Sequence, residues 1–449
     1  MTNFFFGWRV LLVSLLGLLT APALAQDLPA TAAAAPLLTL PQAVAYALDH
    51  RPLLRQARLD EDVARAANRV ATAAGLPQIG LTASGQHYLG LPFVIFPNSL
   101  TGLSEPRQIG VRNISTIGFA GTQTLYSNDL HLARRSVRFN QLAAEQNTTD
   151  VRIAVVADVS KAFYDVLLAQ RQVLVYEADL RRLQRNYQDA RARYDAGIVD
   201  KTDFLQARIS LNNSRAGRKQ AFEASNARTA ALQELMGLPA TPRPVLTYDT
   251  LALEAAAGAD TLALLDANGR IEIQRLQTQK ELQHLSVDYY RRGFLPTVSA
   301  FGNYNSVYQN NNFGDLYNQR FPNSYVGLQL TLPLFTGFRR TQNLRRARLL
   351  DQRIEEDLTG TRQQLNTEYA SALAAYKGNF NDYLIGKDNL ELARQVYQVV
   401  DLQYREGIKA YIDLLVAQTT LRTAQLTYYT ALFEVLKSKV DLERAQGRV

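Results

Sequence analysis

The 449-residue chain contains no cysteine. That excludes disulfides, and it excludes lipid attachment through an N-terminal Cys. Methionine occurs only at Met1 and Met236, so the chain carries no Met-rich metal path. Past the N-terminus no run of about eighteen apolar residues occurs, so hydropathy gives no helical membrane span. A membrane β-barrel stays open, because its alternating strands leave hydropathy flat. Histidine is confined to His50, His87, His131 and His284. Glu281-Leu282-Gln283-His284 has the Glu-x-x-His spacing of di-metal sites, but as a single copy without partner carboxylates it reads as a solvated helix face. Gly386-Lys387-Asp388 lacks the upstream Gly and following Ser/Thr of a phosphate loop. No His-Glu-x-x-His or Gly-x-Ser-x-Gly occurs, and these residues nominate no catalytic, cofactor or metal position. The net charge of +8 comes from Lys and Arg scattered among Asp and Glu, which are solvated helix faces and not a nucleic-acid footprint.

What is present begins with an export signal. Arg9 supplies the positive charge, Val10–Leu19 the apolar core and Ala23-Leu24-Ala25 the small-x-small cleavage site. Residues 1–25 read as signal peptide, with the mature chain starting at Gln26, and 26–38 as a flexible segment.

The remainder is written twice, at a spacing of about 210 residues. Pro77 stands opposite Pro296, and Leu125-Tyr126-Ser127 opposite Leu334-Phe335-Thr336. The sharpest match sets Tyr194-Asp195-Ala196-Gly197-Ile198, with Asp203-Phe204-Leu205-Gln206-Ala207 following, against Tyr404-Arg405-Glu406-Gly407-Ile408 and Asp413-Leu414-Leu415-Val416-Ala417. Gly237 and Gly447 close both copies at the same offset. The first copy spans 39–240 and the second 259–449, and 241–258, with two prolines and an Ala run, reads as a linker.

In the first copy Thr39-Leu40-Pro41-Gln42 has capping-box spacing and opens a short helix. Pro52 interrupts it, and a second helix runs to about Ala74. Two strands joined by a long polar loop follow, then long helices over Asp129–Ala196 and Lys201–Met236. The second copy gives a helix to Tyr290, two strands, and long helices over Arg339–Glu406 and Ile412–Ala445. The loops 91–112 and 309–323, rich in Asn, Gly and Pro, read as solvated exterior turns.

The strands have a period of two. Val326, Leu328, Leu330 and Leu332 share one face, with Tyr325, Gly327, Gln329 and Thr331 on the other; Ile79, Leu81 and Ala83 oppose Gln78, Thr82, Ser84 and Gln86. Such strands suit a membrane barrel or a half-buried soluble sheet. The helices favour the barrel. A 68-residue helix would be roughly 100 Å long, and only pairing along its length can bury it. Leu414, Ala417, Leu421, Ala424, Tyr428, Ala431, Val435, Ser438 and Leu442 give the heptad of such a pairing. Four strands cannot close a membrane barrel, and an open sheet edge is excluded in lipid, so several chains would have to share one barrel.

The duplicated order, with the tip pattern Gly-Ile-x-x-x-x-Asp-[Phe/Leu]-Leu-x-Ala, resembles the TolC-like outer-membrane efflux family over Leu38 to Gly447. The resemblance implies a mixed α and β fold. Long coiled-coil hairpins would form a periplasmic α-barrel, continued by a membrane β-barrel with four strands per chain and twelve in a homotrimer. It implies a passive channel in the outer membrane, with helices reaching into the periplasm. A periplasmic adaptor and an inner-membrane transporter would be its partners. Carried over by position, Thr202 and Asp203 fall on one side of a periplasmic gate link, Tyr404 and Lys409 on the other, and Asp413 on a pore-narrowing acidic ring. Lys409 and Val416 stand where an Arg and a second acidic residue occur in relatives. Gly197-Ile198 and Gly407-Ile408 would be the hairpin tips that meet the adaptor. Asp203 and Asp413 could equally serve only as helix-start carboxylates. The duct of a type I protein-secretion system shares the fold, and a periplasmic coiled-coil adaptor is the reading from another class.

Overall fold

A computed structural model describes residues 37–97, 104–241, 243–261 and 265–448. The expected signal peptide and residues 26–36 lie outside the described residues. The Thr39 amide donates to Gln42 Oε1 at 3.0 Å as helix α1 (Leu40–His50) begins. Pro52 is then the first residue of α2 (Pro52–Ala73), where its missing N–H costs nothing.

The long helices follow as α3 (Asn128–Asp195), α4 (Lys201–Met236), α7 (Arg339–Arg405) and α8 (Tyr411–Ala445). Between them stand the short α5 (Thr250–Ala256) and α6 (Ile271–Arg291). Helices α3 and α4 pair, as do α7 and α8, while α3 also contacts α6 and α8 and so joins the two copies. Every residue of the α8 heptad is buried except the half-buried Ala424. The central core sets Val155, Phe163 and Leu167 against Leu432, Phe433 and Leu436.

Strands β2 (Gln78–His87), β5 (Asn113–Tyr126), β7 (Thr297–Asn310) and β8 (Arg320–Thr331) form one antiparallel sheet in the order β2-β5-β7-β8. The copies meet at β5–β7, which leaves β2 and β8 as edges. Register puts the two apolar sets on one face: Ile79, Gly121, Gly302 and Val326 form one row, and Leu81, Phe119, Tyr304 and Ser324 the next.

Three expectations need correction. Residues 91–112 are not simply a loop, because β3 (Phe93–Pro97) and β4 (Ser104–Gln108) pair as a small hairpin. Strands β7 and β8 also run further into 309–323 than alternation alone marks. Finally, the linker 241–258 and the end of the supposedly flexible segment are structured. Leu37-Leu38 (β1) pairs in parallel with Val245-Leu246 (β6), burying Leu38 and Leu246 in the central core. Helix α5 is then fastened to the coiled coil: Glu254 accepts from Lys387 Nζ at 2.7 Å and Tyr428 Oη at 2.5 Å. Those bonds, Lys387 first, hold the Glu254 carboxyl below its ordinary range.

Each of the four long helices ends at a glycine in the left-handed region: Gly197, Gly237, Gly407 and Gly447 have φ of 72°, 71°, 75° and 74°. At Gly197 the amide donates to the Tyr194 carbonyl and the Ile198 amide to that of Arg193; Gly407 and Ile408 repeat this with Tyr404 and Gln403. This is the Schellman motif, which satisfies carbonyls the helix leaves open. The surroundings differ, and that yields a prediction. A Cβ on Gly197 would meet nothing within 4 Å, whereas one on Gly237 would lie 2.8 Å from the His50 carbonyl oxygen. Gly197→Ala should therefore cost only the left-handed backbone term, about 1–2 kcal/mol. Gly237→Ala should lower thermal stability clearly further by displacing the α1–α2 turn. Equal shifts in parallel melts would show that no steric contact is felt there.

Candidate functional site

The hairpin tips are built by those glycine turns. Ile198 and Ile408 follow the turn residue in each copy, and both are 71% exposed. Asp200 caps α4, its carboxylate accepting from the Lys201 amide at 2.7 Å, and Ala410 occupies the same place before α8. Asp203 and Asp413 sit in the first turns of those helices, where the helix dipole favours a carboxylate. Neither is the cap itself.

Tyr404 is buried and packs edge-on against Tyr411 at 5.9 Å between ring centroids. The Arg193 guanidinium lies over the Tyr404 ring at 5.0 Å, and Ala190, Ala207 and Leu414 complete the cluster. Burial pushes both tyrosine hydroxyls above their ordinary range, with Arg193 opposing the shift at Tyr404 and the Asp203 charge adding to it at both. Asp203 lies one helical turn before Ala207 of that cluster. Among the described residues, however, no hydrogen bond within the chain joins Tyr404 to Asp203 or Lys409 to Thr202. Lys409 Nζ lies instead 3.9 Å from Asp413 Oδ2. Thr202 and Lys409 are exposed, and so is Val416.

Two groups escaped sequence reasoning. Tyr411 is 1% exposed, and its buried hydroxyl has no hydrogen-bond partner among the described residues. The visible signal was a break in the repeat, since Lys201 holds the equivalent place. The second is a polar node midway up the hairpins. Asp179, on α3 and 1% exposed, accepts from Ser214 Oγ of α4 at 2.9 Å, Arg422 Nη1 of α8 at 3.1 Å and Arg182 Nη2 at 3.4 Å. It occupies a core position in line with Val175 and Leu183, where an Asp is conspicuous. The Glu281–His284 helix face is occupied differently: His284 Nε2 meets Asp351 of α7 at 3.1 Å.

At the other end, the apolar sheet face stays uncovered among the described residues. Val326 is 89% exposed and Ile79 77%. Aromatic residues flank it at both ends, with Tyr304, Tyr308 and Tyr317 towards the loops and Phe294, Phe335 and Phe338 towards the helices. The opposite face carries Gln78, Thr82, Ser84, Thr122, Asn303, Asn305 and Gln329. An apolar band between two aromatic girdles, polar behind, is the chemistry of a strand set facing lipid outside and water inside. No helix among the described residues is long and apolar enough to cross a membrane.

A lipid-facing sheet continued by helical hairpins about 100 Å long defines an outer-membrane channel subunit with a periplasmic duct. The family model described as "Outer membrane efflux protein" matches residues 43–239 and 267–448, and the chain belongs to that family. Among its relatives is the "Probable efflux pump outer membrane protein TtgC" of Pseudomonas putida, 25% identical over 418 residues, which cover 91% of this chain and 82% of the relative. The "Alkaline protease secretion protein AprF" of Pseudomonas aeruginosa is 25% identical over 307 residues, 65% of this chain and 59% of the relative. In fold the chain matches the crystal structure of CusC with a TM-score of 0.73 at 20% identity, over 91% of each chain.

Proposed function

We propose that three copies of this chain close one conduit that receives substrate from a periplasmic adaptor and an inner-membrane transporter and releases it outside the cell. The observation that carries this is the open sheet. Among the described residues both β2 and β8 present unpaired edges beside an apolar face, and lipid cannot satisfy those backbone groups. Edge-to-edge pairing of three sheets gives twelve strands and satisfies them all. The chain works passively and catalyses no reaction; its sequence holds no phosphate loop to energise transport.

The gate lies at the tips. Thr202 and Asp203 of one hairpin face Tyr404 and Lys409 across a hairpin boundary, and three Asp413 carboxylates ring the pore. The place of Asp203 one helical turn before Ala207, which packs with the buried Tyr404, supports this arrangement. The Lys409–Asp413 pair adds a consequence, since the ammonium partly neutralises the ring it adjoins. The relation to AprF favours a second reading, a duct for secreted protein, which a deletion phenotype would separate from small-molecule export.

The test is mass in detergent followed by planar-bilayer conductance. We expect three chains per particle, raised conductance in Tyr404→Phe with Lys409→Ala, and weaker block by a trivalent cation in Asp413→Ala. Lys409→Ala alone should strengthen that block. A monodisperse monomer would refute the shared barrel. Parental conductance and block in all variants would show that these residues only start helices.

A further inference from the structure

We propose that Arg320 and Tyr304 form a binding site, on the outer membrane-facing surface of the sheet, for the phosphorylated headgroup of an outer-leaflet lipid.

Residues of even number on β7 and β8 share the apolar face with Val326 and Leu328, and Arg320 is one of them. A charge on that face is costly at mid-membrane and nearly free at the boundary. Its height follows from the register. The Arg320 side chain runs back along the sheet to Ser306, whose partner is Pro322. From Leu332, just past the end of β8, to Pro322 the extended chain advances ten residues. At about 3.4 Å per residue and a tilt of about 40°, that is roughly 26 Å, the height of the apolar band. The guanidinium therefore lies at the outer boundary, where lipid phosphates lie.

The guanidinium is held in place. Nε donates to Ser306 Oγ at 2.9 Å and Nη2 to Tyr304 Oη at 2.5 Å, while its carbon stands 5.8 Å from the Tyr304 ring centre. Among the described residues its hydrogen bonds go to hydroxyls alone, so its full charge is uncompensated. The nearby Asp315 carboxylate is taken by Asn312 and Asn318. Nη1 keeps both its donors, and Tyr304, which accepts from the arginine, keeps its own proton to donate. An oriented fork plus a hydroxyl donor matches the oxygens of a phosphate. Tyr308 packs at a tilt against Tyr317, 5.1 Å between ring centroids, and Tyr317 is tied to Ser115 at 3.3 Å; these rings supply the amphipathic wall on which a sugar or glycerol headgroup can lie. A free phosphate would use the same donors but gain nothing from the apolar face, which is why a lipid is the ligand.

The inference rests on the outer-membrane placement of the sheet. The test is native mass spectrometry of the detergent-solubilised protein with three probes: diphosphoryl lipid A, dephosphorylated lipid A and inorganic phosphate. We expect diphosphoryl lipid A to bind at least tenfold more tightly than the dephosphorylated form. Arg320→Gln should remove that preference, Arg320→Lys should keep part of it, and Tyr304→Phe should weaken it several-fold. Arg353→Gln, an exposed periplasmic change, should leave it intact. Equal binding of both lipids by the parent, an unaltered preference in Arg320→Gln, or binding of inorganic phosphate as tight as that of the lipid would each overturn the site. Bilayer conductance of the same preparations separates the two failures: loss of lipid preference with conductance intact leaves the channel reading standing.

Discussion

Asp179→Ala is expected to destabilise the protein by about 3 kcal/mol, the low end of the cost of breaking a buried ion pair. The low end applies because the Arg182 and Arg422 side chains keep 15% and 24% exposure, so water can partly replace the lost carboxylate. Their two guanidinium groups would then face each other without an anion, and Ser214 would lose its acceptor. Because the node links α3, α4 and α8, the loss should be felt in the tip half of the hairpins. Two variants locate the cause. Asp179→Asn retains an acceptor for Ser214 and should lose less. Asp179→Leu combined with Arg422→Met should recover much of the loss, since an apolar pair can replace a buried ionic one at little cost. Far-UV circular dichroism melts provide the readout, with hydrogen exchange along α4 and α8 as the local check. An Asp179→Ala melt within about 0.5 kcal/mol of the parent, the range of ordinary surface substitutions, would mean that the node holds nothing together.

The largest functional effect is expected from Ile198→Asp combined with Ile408→Asp. Burying one isoleucine at an interface contributes about 1.5–3 kcal/mol. Three chains would present six such side chains at once, so their contributions multiply through avidity. The double variant should fall to the export level of a deletion strain in cells and lose cross-links to the adaptor. Trimer mass and single-channel conductance should match the parent, because both side chains are exposed and take no part in the packed cluster of Tyr404 and Tyr411. Export at the parental level would place adaptor docking elsewhere on the hairpins. The single variants should each retain part of the function, since either copy of the tip still offers three contacts.

What the sequence determined by itself is local and periodic. Helix ends sit at glycines, prolines and short polar caps because backbone conformation there depends on the residue itself. Gly197, Gly237, Gly407 and Gly447 therefore placed four helix ends within a residue or two. Alternation in 325–332 and the α8 heptad disclosed which side of each element is apolar, because pleat and helix turn have set periods. The duplication then supplied the order of parts. Tertiary structure alone decided what lies across each face. Leu38 meets Leu246, Asp179 meets Arg422, Glu254 meets Lys387 and Arg320 meets Tyr304, and nothing in the spacing of these pairs announces the partner. Periodicity shows that a side chain is turned inward but not which distant residue will satisfy its charge. That choice is made when some hundred ångströms of helix align in one register, and it is why the linker proved to be part of the core and Tyr411 a buried partner of Tyr404.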